Sequence, residues 1–104
     1  MIPAAIIETV RRAVLDFIDA IGGEMSDDTL AIQLVAIGHR IARRDVADQM
    51  RWLAEQGLIE VEDLSPYLIG RILPDGVDAA AGRLRIDGLG RHKTGARAGT
   101  AKAG

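Results

Sequence analysis

Arg43-Arg-Asp-Val-Ala-Asp-Gln-Met-Arg-Trp-Leu-Ala-Glu-Gln-Gly-Leu-Ile-Glu-Val-Glu62 is the stretch whose reading decides the fold. Val46, Met50 and Leu53 recur at spacings of four and three, which puts them on one stripe of a helix over 43–56. Arg44, Asp48, Arg51 and Glu55 fall on the opposite side, with Ala47 and Ala54 at the shoulder. Gly57 is suited to the left-handed conformation that ends a helix and lets the chain reverse. Beyond it the period drops to two, because Ile59 and Val61 alternate with Glu60 and Glu62 as in a half-exposed strand. A β-hairpin over residues 58–63 and 67–73 is predicted, with Leu64-Ser-Pro66 at its tip.

Upstream, Ser26 is a good N-cap, and Asp27 and Asp28 suit the positive end of a helix dipole. The helix body, Leu30-Ala-Ile-Gln-Leu-Val-Ala-Ile37, contains one polar residue, Gln33. Gly38-His-Arg-Ile41 is then a turn, closed by Gly38 and anchored by Ile41. Two helices joined by a turn and followed at once by a hairpin is the element order of a winged-helix domain. The expected fold is therefore α+β, a winged helix-turn-helix with three main helices, a two-stranded β-hairpin wing and a short C-terminal helix. Helix 43–56 stands where a recognition helix stands.

The first helix spans residues 4–21, with Ile7, Val10, Val14, Phe17, Ile18 and Ile21 on one stripe and Leu15 off it. Glu8, Arg12, Asp16 and Asp19 lie opposite, where Glu8 and Arg12 have the favourable i,i+4 order. Gly22-Gly23 stops this helix. After the hairpin, Pro74 near N1 opens a short helix that ends before Gly82. From Gly88 onward the composition shifts to Gly, Ala, Thr and basic residues without apolar period. The expected organisation is a domain over 1–87 and a basic, flexible tail over 88–104.

Composition bounds the function. At 104 residues the chain has room for one modest core. Cysteine is absent, which excludes disulfides and thiolate metal sites. No apolar run approaches the length of a membrane span, and the N-terminus lacks a basic flank and a cleavage site, so a cytoplasmic location is expected. The net charge is −2, yet its distribution is uneven. Basic charge collects at Arg40, Arg43, Arg44 and Arg51, and again at Arg83, Arg85, Arg91, Lys93, Arg97 and Lys102. Such asymmetry favours an anionic partner.

Several stretches resemble a small winged-helix family of Mu-like phages and prophages. They are the Gly38-His…Ile41 turn, Arg44-Asp45-x-Val, Trp52-Leu-x-Glu-Gln-Gly-Leu-Ile59 and Ala80-Ala-Gly-Arg83…Gly88-Leu-Gly-Arg91. The resemblance covers roughly residues 10–93. It implies a winged-helix fold and a phage setting, and carries no established activity.

On the DNA reading, Arg43, Arg44, Ala47 and Arg51 face a major groove, with His39 and Arg40 reaching phosphates from the turn and Arg91 and Lys93 adding contacts from the tail. Arginine suits this, since its planar fork can bond guanine O6 and N7 together. The competing reading makes Arg44–Asp48 and Arg51–Glu55 i,i+4 ion pairs on a solvated face. Glu60, Glu62 and Asp63 also make the wing acidic, where a DNA-contacting wing would carry Arg or Lys. The second helix is apolar on both sides, so either Ile32 and Val35 meet a partner chain such as a second copy, or the first helix or the tail covers them, while Trp52 packs against the wing or a partner chain.

Enzyme signals are absent. His39 and His92 are the only histidines and have no ligand spacing, Asp27-Asp28 is explained by capping, and Gly88-Leu-Gly90 lacks the context of a phosphate loop. The expectation is a small DNA-binding protein, a phage transcriptional regulator acting as a dimer on double-stranded DNA without cofactor, metal or membrane. The alternative is a protein-interaction module that keeps the fold without DNA binding.

Overall fold

Val46, Met50 and Leu53 are fully buried, as their spacing requires, and the helix that carries them packs on two others and a sheet. The computed structural model describes residues 2–92. Their order is α1 (Ala4–Ala20), β1 (Glu24–Ser26), α2 (Asp27–Ala36), α3 (Arg43–Glu55), β2 (Ile59–Asp63), β3 (Leu68–Ile72) and α4 (Pro74–Ala80). This is an α+β fold, four helices and a three-stranded antiparallel sheet in the order β1-β3-β2. Among the described residues no helix is long and apolar enough to cross a membrane.

The expected two-stranded hairpin is thus one strand short. Glu24, Met25 and Ser26 pair with Arg71, Gly70 and Ile69, which makes β3 the central strand. Three residues show no usable alternation, so β1 is specified by its partner rather than by its own pattern. Gly70 makes the pairing compact. A Cβ there would stand 3.0 Å from the Met50 methyl and 3.3 Å from the ends of Ile18 and Ile59, so core side chains occupy the space a side chain would fill. On the outer face, Arg71 donates to Glu24 on β1 and Glu62 on β2, each at 2.8 Å. Donating to Glu62, and then to Glu24, raises the Arg71 pKa above its ordinary value.

Ser26 caps α2 as expected, accepting from Thr29 N at 3.1 Å, and Pro74 opens α4. Gly76 in α4 sits so close to β2 that a Cβ would land on the Leu58 carbonyl.

Helix α1 departs from its expected face. Leu15 is fully buried and Ile21, past the helix end, is 63 % exposed. Arg12, expected on the solvent side beside its i,i+4 partner Glu8, is buried. Its Nε donates to Gly90 O and its Nη1 to Ala79 O, both at 2.9 Å, while Asp16 Oδ1 lies 3.4 Å away. The cause is the chain after α4, which crosses back over α1. Gly90 N donates to Glu8 O at 2.9 Å and Leu89 is buried. A Cβ on Gly90 would stand 2.7 Å from Glu8 O, so only glycine permits this approach. Gly90 O from the strap and Ala79 O from α4 thus satisfy Arg12 where little water reaches it, in place of an exposed pair with Glu8.

Candidate nucleic-acid interface

Helix α3 packs its apolar stripe on α1, α2 and β2 and leaves its other side open. At its N-terminal end, Ala42 offers no side-chain cap, so the first amides of the helix lack that cover. Arg43 and Arg44 project from this turn and are exposed, and Arg40 just before it is exposed as well. Arg40 and Arg44 make no ion pair among the described residues. His39 is half-buried, and His39 N donates to Leu34 O at 2.8 Å, folding the turn over the end of α2. Three exposed arginines thus stand at or just before an uncapped helix start that also carries Asp45 in its first turn.

Farther along α3, the helix faces the tip of the β2–β3 hairpin across an open cleft of about 290 Å³. Arg43, Arg44, Asp48 and Arg51 line one wall, Asp63, Ser65 and Tyr67 the other, with buried Ala47 between them. Ala47, expected among the surface contacts, is 9 % exposed. It sits toward the core because it follows Val46 on the edge of the inward stripe. Neither i,i+4 pair of the competing reading, Arg44–Asp48 or Arg51–Glu55, forms. Arg51 turns instead to Asp63, whose Oδ2 lies 3.7 Å from its Nη2, and the Arg43 guanidinium stands 5.5 Å from the Tyr67 ring centre. Asp63 also accepts from Ser65 N at 2.9 Å through its other oxygen. Asp63 and Tyr67 were absent from the sequence-based site; an Asp opening a Ser-Pro turn was the available signal for the first.

The remaining candidates lie elsewhere. Arg91 is exposed and lines a second cleft with Glu8 and Arg12, so it does not join the α3 arginines there. Lys93 lies outside the described residues. Trp52 is half-buried and engaged within the chain. The Arg11 guanidinium stacks 3.9 Å above its ring, and a Cβ on Gly88 would come within 2.8 Å of it. Arg11 also donates to Gln49 Oε1 at 2.8 Å and to Gly88 O at 3.0 Å. Ile32 and Val35 are exposed on α2, away from that cluster. Among the described residues no group of three or more His, Cys, Asp or Glu is placed to hold a metal ion.

Among curated proteins, the chain is similar to the uncharacterized protein gp26 of Escherichia phage Mu, 33 % identical over 93 residues that cover 89 % of this chain and 97 % of gp26. No protein-family model matches the chain. No solved structure matches it significantly.

Proposed function

The chain belongs to the family of phage Mu gp26, and with that as premise we propose that it is a winged-helix DNA-binding protein, a small transcriptional regulator of a Mu-like phage or prophage that works as a dimer in the host cytoplasm. The order α1-β1-α2-α3-β2-β3, with the sheet closed by β1, is that of winged-helix domains and supports the fold reading. The observation that carries the function is the cluster of Arg40, Arg43 and Arg44 at the open N-terminal end of α3. Recognition helices touch base edges with their N-terminal residues, and helix starts favour phosphate. In this reading α3 enters the major groove by that end. Arg44 reads or neutralises, Arg40 and His39 approach a phosphate, and the hairpin tip flanks the groove.

A protein-interaction module is the second reading, favoured by one observation. The hairpin tip presents Asp63 to Arg51, which lowers the positive field over the middle of α3. The test is fluorescence anisotropy on phage duplex DNA over a salt series. Affinity should fall as a power of salt concentration, and the Arg43→Ala, Arg44→Ala double variant should bind about tenfold to a hundredfold more weakly. Absence of binding at low salt, or binding indifferent to the double variant, overturns the DNA reading.

A further inference from the structure

Helix α2 has two apolar faces and only one of them is used. Leu30 and Leu34 are fully buried, while Ile32 is 63 % exposed, Val35 52 % and Ile37, at the C-cap, 51 %. Asp28, Ile32 and Val35 stand at i, i+4 and i+7, hence on one stripe of the helix. Among the described residues nothing covers the stripe, and residues 93–104 carry no apolar side chain larger than alanine, so it stands open to an outside cover.

We propose that this cover is the same stripe of a second copy, with the two α2 helices antiparallel about a two-fold axis between Ile32 and Val35. Charge selects this occupant and this direction. One end of the stripe presents exposed Asp28, and the turn beyond the other end presents exposed Arg40, neither ion-paired among the described residues. Antiparallel packing sets Ile32 against Val35 of the other copy and Asp28 near the turn that carries Arg40, twice by symmetry. Parallel packing would place Asp28 on Asp28 and align the helix dipoles unfavourably. A helix of ten residues is about 15 Å long, so the contact is small and the dimer is concentration-dependent, with a Kd on the order of 10 μM. This pairing deepens the dimeric part of the reading above and stands whether or not DNA is the ligand.

Sedimentation equilibrium of the full chain without DNA tests it, from roughly 1 to 500 μM, a range that brackets the expected Kd. A monomer–dimer equilibrium is expected, with Ile32→Asp weakening it at least about tenfold while the thermal melt of the monomer is kept. Val35→Ser is the milder companion should Ile32→Asp fail to fold. Asp28→Arg and Arg40→Asp should each weaken the dimer, and the two together should restore it. A chain that stays monomeric over the whole range, or a dimer indifferent to Ile32→Asp and Val35→Ser, overturns the proposal. Single charge reversals without recovery in the double variant overturn the antiparallel arrangement. DNA binding is read separately by anisotropy with the Arg43→Ala, Arg44→Ala variant, which leaves Asp28 and Arg40 intact, so failure of one reading leaves the other standing.

Discussion

Arginine does different work on the two sides of this molecule. On the α1 side, Arg11 and Arg12 reach across to the strap after α4, where Gly88 and Gly90 turn their carbonyls toward them. On the α3 side, Arg40 and Arg44 stand exposed, and Arg51 meets Asp63 only at 3.7 Å between two side chains that are more than half exposed. Arg11, Arg12, Arg44 and Arg51 sit on amphipathic helices, Arg40 in the turn before α3, and all look alike in sequence. What separates them is the acceptor. A carbonyl inside the part-buried contact between α1, α4 and the strap meets little competition from water and makes its arginine a fastener, whereas an exposed carboxylate shares its arginine with water and leaves it open to an outside anion.

The sharpest way to break this comparison is Arg12→Ala. It leaves Gly90 O without its arginine donor, leaves Ala79 O with Gly82 N alone, and should cost about 3 kcal/mol, lowering the melting temperature by roughly 15 °C in a domain of this size. Arg12→Lys should fall between, since an ammonium cannot reproduce the fork. A melt within two or three degrees of wild type would mean that the α1 arginines are as dispensable as those of α3.

Arg11→Ala should cost less, about 1–2 kcal/mol, because it removes a partly buried network and a stacked cation. Trp52 is the single tryptophan, so its emission reports the change directly. Loss of the guanidinium cover should shift emission to longer wavelength in the folded protein. An unchanged spectrum would show that Gly88 alone shields the ring. The smallest effect is expected on the other side. Arg51→Ala should change stability by no more than about 0.5 kcal/mol, measured by urea unfolding at low and high salt. A larger loss would move Arg51 into the fastening class.

Much of the architecture was legible because it follows from short-range periodicity. The inward stripe of α3, the Ser26 cap, the hairpin and Pro74 at the start of α4 are all local signals. Strand β1 was not, since three residues acquire their strand character only from Arg71, Gly70 and Ile69 far along the chain. Arg12 was misplaced for a related reason. Its i,i+4 neighbour Glu8 is visible in sequence, while the carbonyls that claim it arrive with residues 79 and 90. The basic residues around α3 were legible as a group, with Ala47 turned further inward than its shoulder position implied. The attachment of Arg51 to Asp63 depends on how the hairpin leans, which no local pattern encodes. Gly70 and Gly76 looked unremarkable in the sequence, and both mark places where two elements touch at backbone distance.

The order β1-β3-β2 leaves two rims to the sheet, and they are protected differently. The β1 rim is only three residues long, too short to template another strand. The β2 rim is longer and carries Glu60, Glu62 and Asp63. A second β2 approaching that rim would bring carboxylates against carboxylates, so the sheets of neighbouring molecules are kept from zipping together. The negative charge of the β2 rim is thus well suited to guarding against aggregation.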